Sequence, residues 1–151
     1  MRNFLFLFIL SAILCSCPDT GESRYYDYTV EHKSGKKITF IPYSDGNVLL
    51  DKKIILDNNQ TLNKTYIDKP LYQGFSIADV IFNNSINNLS HIEIVFKKQK
   101  KIIYQQCTLN YNCNQNPKNI FSSENNNDLK EIYIVSLEDY QNATDCNGNC
   151  Y

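Results

Sequence analysis

Residues 25–31 read Tyr-Tyr-Asp-Tyr-Thr-Val-Glu, and the alternation in this stretch decides the fold class. Tyr26, Tyr28 and Val30 share one face of an extended chain, and polar side chains occupy most of the other face. A period of two residues is the pattern of a β-strand that is buried on one side. The stretch therefore predicts a half-buried strand at the start of a sheet protein.

Short apolar segments recur along the rest of the chain and are separated by turn signals, such as the Asp-Gly pair at residues 45–46. The apolar run within residues 48–56 predicts a more fully buried strand than the others. Regularly spaced strands joined by turns predict a mainly β fold, an antiparallel β-sandwich that is either Ig-like or a partly open barrel. The predicted strands after the first are 38–43, 48–56, 62–68, 92–96, 102–106 and 131–136, with a shorter one at 119–122.

Two segments break the strand pattern with the same arrangement of a serine followed three residues later by an aspartate. This spacing is that of a capping box, in which the two side chains bond to each other's backbone N–H at the start of a helix. Ser76 and Asp79 predict a helix over residues 77–82, and a second pair, at residues 136 and 139, predicts one over residues 137–143. We therefore expect two short helices in the fold.

The amino terminus has the organisation of an export signal. Arg2 provides a positive charge, and residues 4–14 form an apolar run too short to span a bilayer. Leu14 stands three residues before Cys17, and the small Ser16 stands directly before it. This spacing resembles the lipobox of bacterial lipoproteins.

The lipobox resemblance implies three regions and a compartment. Residues 1–16 would be a lipoprotein signal peptide, residues 17–24 a tether, and residues 25–151 a single β-rich domain. Cys17 would become the first residue of the mature protein and carry a diacylglycerol thioether and a further acyl chain such as palmitate. Because two or more chains hold a protein stably on a bilayer, we expect a lipid anchor in the cell envelope, at the periplasmic or surface face of the outer membrane.

Three further motifs extend the resemblance over most of residues 25–151. They are a Tyr-rich first hairpin with the later segment Gly74-Phe75-Ser76, a Phe-Lys-Lys hairpin tip at residues 96–98, and a Cys-Asn-Gly-Asn-Cys-Tyr end at residues 146–151. Together they resemble small lipoproteins of Flavobacteria-type organisms within the Bacteroidota. This resemblance implies no activity and assigns no catalytic residue.

Four cysteines follow the predicted anchor: Cys107, Cys113, Cys146 and Cys150. Export would place them in an oxidising compartment, where disulfides are the expected state. Three pairings are possible, and the local one is favoured because short loops close first and Gly148 eases a tight turn. A zinc site with four thiolates is the alternative, although the cysteine spacings differ from the usual C-x2-C pairs.

Some other residues have side chains that can bind metal or act in catalysis, but we expect a purely structural role for them. Asp145, Asn147 and Asn149 alternate like the first ligands of a calcium loop, but no glutamate follows to complete it, so we expect a polar turn. His32 and His91 lie near no recognisable nucleophile motif, and we expect both to be solvated.

A basic tip is predicted at the end of the hairpin formed by residues 92–106. Its lysines are Lys97, Lys98, Lys100 and Lys101. Such a tip can bind phosphate or lipid headgroups, but a charged hairpin end also protects a sheet against edge pairing, and this second role is the one we expect.

The formal net charge of −1 argues against nucleic acid as the main partner. With no motif for catalysis, metal or cofactor binding, we expect a non-catalytic binding or structural module whose partners are the membrane, through the lipid, and an envelope protein. Two alternatives stay open. One is an envelope hydrolase whose site is assembled from scattered residues, and the other is a small inhibitor or immunity-type protein.

Overall fold

The computed structural model describes residues 21–72, 74–83, 85–126 and 128–151. The predicted signal peptide, Cys17 and the first half of the predicted tether lie outside these residues. Within the described ranges, no helix is long and apolar enough to cross a bilayer. In chain order the elements are β1 Arg24–Lys33, β2 Ile38–Ser44, β3 Asn47–Val48, β4 Ile54–Leu56, β5 Thr61–Asp68, α1 Ile77–Phe82, β6 Leu89–Phe96, β7 Lys100–Gln105, β8 Lys130–Ser136, α2 Leu137–Asn142 and β9 Thr144–Asp145.

The strands form two sheets packed as a sandwich, which confirms the predicted fold class. The first sheet has the order β5-β1-β8, and the second has the order β3-β2-β6-β7-β9, with β4 also pairing with β2. All pairs are antiparallel except β1 and β8, which run parallel with Val30 opposite Tyr133. A parallel pair needs a long connection, and here the chain builds β5 and all of the second sheet except β9 between the two strands.

The first predicted strand is the centre of its sheet, with the predicted face turned inward. Tyr26, Tyr28 and Val30 are all buried against the second sheet, whose inner face contributes Phe40 and Phe96. A strand with partners on both edges and a core on one face buries every second side chain. The alternation in the sequence therefore arises, as predicted, from a strand that is buried on one face.

The first hairpin implied by the family resemblance does not form. Gly35, at a backbone φ of +73°, lies in the turn after β1, and β2 then enters the other sheet instead of pairing with β1. β1 pairs with β5 and β8 along its two edges, so no edge remains for β2.

Both predicted helices are present, and both begin with the predicted capping box. The Ser76 N–H donates to Asp79 Oδ2 at 2.8 Å, and the Ser136 N–H donates to Asp139 Oδ2 at 2.6 Å. α1 ends at Phe82, and its C-cap residue, Asn83, adopts the left-handed conformation with a φ of 57°. α2 ends one residue before its predicted boundary, at Asn142.

The prediction of a buried strand over residues 48–56 is wrong. This segment divides into β3, a 3₁₀ turn at Leu50–Lys52 and β4, and Val48 and Ile55 are 42% and 47% exposed. β3 and β4 are short strands along the outer edge of β2, whose other edge is taken by β6. An edge position leaves apolar side chains in solvent that the sequence pattern alone assigns to the core.

The predicted short strand over residues 119–122 is also absent. Asn119 and Ser122 are fully buried in consecutive turns, and the Asn119 side-chain amide donates to the Gln105 carbonyl at 3.0 Å. The side chain thus satisfies backbone groups that a strand ladder would otherwise pair.

Candidate functional site

A cleft of about 420 Å³ lies beside the start of α1. Its walls come from residues 74–76, 78 and 79, from Leu89 at the start of β6, from Gln106 and Cys107 after β7, and from the long connection to β8. This volume falls within the range of roughly 300–1,000 Å³ that is usual for small-molecule sites. The lining includes both apolar and hydrogen-bonding side chains, so the cleft suits an amphipathic ligand.

Asn126 joins the two sides of the cleft. Its Oδ1 accepts a hydrogen bond from the Ile77 N–H at 2.9 Å, and its side-chain amide donates to the Ile120 carbonyl at 3.0 Å. The first contact satisfies one of the N–H groups that a helix start leaves unpaired. The asparagine therefore holds the connection to β8 at a defined distance from α1.

The disulfide between Cys107 and Cys113 lies at the rim of the cleft. Cys113 is fully buried, and its N–H donates to the Cys107 sulfur at 3.2 Å. The bridge ties the end of β7 to the beginning of the long connection. It thereby limits how far that wall of the cleft can move.

The aromatic side chain of Phe75 is held in place by its neighbours. Its ring stacks on the Tyr66 ring at a centroid distance of 4.1 Å and meets the edge of the Tyr26 ring at 5.3 Å. The Tyr28 hydroxyl donates to the Phe75 carbonyl at 3.0 Å. Phe121 lines the same cleft from the connection to β8, so aromatic side chains stand on two of its walls.

Asp79 brings a carboxylate to the cleft. Its Oδ2 accepts hydrogen bonds from both the N–H and the hydroxyl of Ser76, each at 2.8 Å, which leaves Oδ1 for other contacts. Burial first, and the Asp79 charge second, raise the pKa of the Tyr66 hydroxyl to about 12. That hydroxyl is buried and has no hydrogen-bond partner in the described part of the chain.

His32 occupies a second polar cluster, and the prediction that it is solvated is wrong. It is 1% exposed, with Nδ1 2.9 Å from the Asp57 carbonyl and Nε2 2.7 Å from the Ser34 hydroxyl. Because a carbonyl only accepts, Nδ1 carries the proton and Nε2 accepts from the serine. Ser34 is itself fully buried, so this serine–histidine pair fastens the turn after β1 to the β4–β5 loop instead of meeting a substrate.

The stability of the protein is expected to depend on His32 below about pH 6.5. Burial lowers the pKa of this imidazole below its ordinary value of 6.5, an effect that the Asp57 carbonyl and charge partly oppose. The unfolded chain therefore binds the proton more readily, so the stabilisation is present above pH 6.5 and is lost as the pH falls. Urea unfolding at pH 7.5 and pH 5 should show a smaller loss of stability for His32→Gln than for the wild type. An equal loss in both proteins would contradict this assignment.

The outer face of the second sheet holds a third polar cluster, centred on Glu93. This residue is 3% exposed; its Oε1 accepts from the Lys101 ammonium at 2.8 Å, while no donor in the described residues bonds to Oε2. The His91 ring stacks on the Tyr43 ring at a centroid distance of 4.0 Å. His91, expected to be solvated, is thus half-buried against a tyrosine.

The charges of this cluster act on one another. Burial lowers the pKa of His91, and the Glu93 carboxylate partly opposes this effect. Burial also raises the pKa of Tyr43, and the same carboxylate raises it further.

The carboxy-terminal turn explains why an outer sheet face is buried. The disulfide between Cys146 and Cys150 closes this turn, and Cys150 packs on Ile41 and Val95 of the second sheet. Asp145 Oδ1 accepts from the Asn147 N–H at 2.8 Å, as expected for a polar turn. Both disulfides are therefore present with the local pairing, so the four cysteines are not available as zinc ligands.

The predicted basic tip is only partly a solvated hairpin end. Lys97 and Lys98 occupy the turn between β6 and β7, each with a positive φ, and both are exposed. Lys100 instead donates to the Gln141 carbonyl at 3.1 Å at the end of α2, and Lys101 pairs with Glu93.

Sequence reasoning missed the cleft, the His32 cluster and Glu93 as sites. The cleft joins residues far apart in the chain, such as Ser76 and Asn126, and no local pattern indicates their contact. Glu93 lies in the polar half of an alternating strand, where burial is not expected.

Comparisons of the chain with models of protein families, with curated proteins and with solved structures find no match. The fold and the cleft define the class: a two-sheet β domain with two local disulfides and an open cleft of mixed polarity.

Proposed function

We propose that the protein is a lipid-anchored lipoprotein of the cell envelope whose β domain is a non-catalytic binding module. The observation that carries the binding role is the cleft beside α1, which has the size of a small-molecule site and a mixed lining. Wall residues such as Asn126 and Phe75 are held in place by contacts within the protein, a hydrogen bond to the backbone of α1 and a stacked tyrosine ring respectively. A preformed site loses little conformational entropy when a ligand binds.

Export is supported by the two disulfides. Cys113 and Cys150 are both buried, so each disulfide is part of the packed structure of its loop. Disulfides of this structural kind persist in oxidising compartments and are rare in the cytosol. The lipobox-like residues 14–17 support the further step, from export to a lipid anchor.

The anchor predicts a specific product when the chain is made in a bacterium. The detergent-extracted protein is expected to begin at Cys17 and to carry the added mass of a diacylglycerol and an amide-linked acyl chain. Cys17→Ser should abolish the lipid, whereas Cys15→Ser, two residues earlier, should leave it in place because the lipobox spacing is kept. Intact-mass spectrometry measures all three proteins. An unlipidated wild type, or lipid that depends on Cys15, would refute the anchor.

Binding in the cleft is tested by a fragment screen on the mature domain with its disulfides intact. Fragments that occupy the cleft are expected to shift the amide resonances of Ile77, Cys107 and Asn126 in ¹H–¹⁵N spectra. Gln106→Trp, which places a bulky side chain at the exposed cleft wall, should abolish these shifts. Fragments that bind only elsewhere, or a purified domain that turns over substrates through the cleft, would count against a non-catalytic binding module.

A further inference from the structure

The two capping boxes have the same local geometry but different electrostatic surroundings. In the second box, Asp139 Oδ2 lies 3.5 Å from the Lys118 ammonium, and the Asp139 side chain is 12% exposed. In the first box, Asp79 forms no ion pair with any basic side chain that the structure describes. Among the residues that the structure describes, one of the two carboxylates therefore has a basic partner and the other has none.

The uncompensated carboxylate is the one that lines the cleft. Asp79 is half-buried there, and its Oδ1 is not used by the capping box. Lys64 reaches the same region, but its ammonium donates to Asn83 and lies over the Tyr66 ring. A carboxylate in a partly desolvated cleft attracts a cation more strongly than one in bulk water does.

The other residues that line the cleft indicate what kind of molecule would carry the cationic group. Phe75 and Phe121 offer aromatic surface, and Leu89 and Ala78 add aliphatic surface beside it. Aromatic faces also attract ammonium groups directly, through the ring quadrupole. A metal ion or a fully hydrated cation would leave these apolar walls unused, whereas an organic cation covers them.

We propose that the cleft binds small organic cations, with an ammonium group paired to Asp79 and an apolar body packed on Phe75 and Phe121. This inference rests on the proposed role of the cleft as a binding site and adds the chemical class of its ligand. Free amines and peptide amino termini both carry such an ammonium group.

The test compares probes of one shape and different charge. Phenethylamine, 2-phenylethanol and 3-phenylpropanoate are titrated into the mature domain at pH 7, and the amides of Ile77, Gln106 and Asn126 are followed by NMR. Phenethylamine should bind at least about ten-fold more tightly than the alcohol, since a charge-assisted contact supplies that difference. Its affinity should fall as sodium chloride is added, and the carboxylate should not bind. Phenylalaninamide carries the ammonium group on a peptide-like body. Tighter binding of phenylalaninamide than of phenethylamine would indicate that the natural ligand is a peptide amino terminus, and weaker binding would indicate a free amine.

The two capping boxes supply a matched pair of variants. Asp79→Asn should weaken phenethylamine binding about ten-fold or more, while Asp139→Asn should leave it unchanged. Unfolding curves of both variants check that the domains remain folded, and the salt series on the wild type tests the inference even if Asp79→Asn does not fold.

The possible failures are distinguishable. Equal binding of the alcohol and the amine, or a preference for the carboxylate, would overturn the cation inference and leave the cleft as a binding site. If no fragment or probe shifts the cleft amides, the proposed function fails as well.

Discussion

Replacing Phe40 with alanine is expected to lower the free energy of unfolding by about 3–5 kcal/mol. The Phe40 ring is fully buried at the centre of β2, where its neighbours across the sheet are Ile54 and Ile94. Removing it costs the transfer free energy of the ring and leaves a cavity that surrounding β-strands cannot collapse to fill. Urea unfolding of the mature domain, with both disulfides intact, measures the change.

Ile55 in β4 provides the control for this substitution. It pairs with the neighbouring Thr39 but is 47% exposed on the outer edge of the same sheet. Ile55→Ala should therefore cost about 1 kcal/mol or less, since little apolar surface returns to water. Similar losses for Phe40→Ala and Ile55→Ala would show that the core does not lie between the two sheets as described.

Lys101→Met is expected to lower the free energy of unfolding by about 3 kcal/mol, because it removes the cation that pairs with the buried Glu93 carboxylate and leaves only the Tyr43 hydroxyl beside that charge. In the wild type, one Glu93 oxygen has the Lys101 ammonium at 2.8 Å and the other has no hydrogen bond within the described residues. The partial exposure of Lys101, at 27%, keeps the expected loss at the lower end of the range for buried pairs. Chemical unfolding near neutral pH measures it.

The double variant Glu93→Leu with Lys101→Met should recover most of the lost stability, because an apolar pair on this covered face has no charge to desolvate. Lys97→Met, in the exposed turn of the same hairpin, should stay within about 0.5 kcal/mol of the wild type. A double variant as unstable as Lys101→Met alone would mean that the lysine acts through its packing and not through the carboxylate.

The two disulfides lie at different surfaces of the domain, one of which is covered while the other stays open. The carboxy-terminal disulfide covers the outer face of the second sheet around Ile41 and Val95, and so closes that surface. The disulfide between Cys107 and Cys113 lies instead at the rim of the cleft, which stays open. The two bridges thus have different roles: one protects a sheet face, and the other positions a wall of the proposed binding site.

Several features of the protein were determined by the sequence alone. The alternation that includes Tyr26 and Tyr28 predicted the central strand and its buried face, and the serine–aspartate spacing predicted both helices with their capping boxes. The close spacing of the cysteines favoured the observed local disulfides. These features depend on residues within about seven positions of each other, so their physical causes are contained in short segments.

Only the tertiary structure decided the remaining features. Residues 48–56 are apolar enough for a core strand, but their place at the edge of β2 leaves Val48 and Ile55 exposed. The polar His32 is buried because the distant β4–β5 loop covers it, and Glu93 is buried on a sheet face where Lys101 of the neighbouring strand pairs with it. The cleft exists because Asn126 meets the start of α1 across about fifty residues of chain. Burial and sites of this kind depend on which segments pack together, and the local periodicity of a sequence does not contain that information.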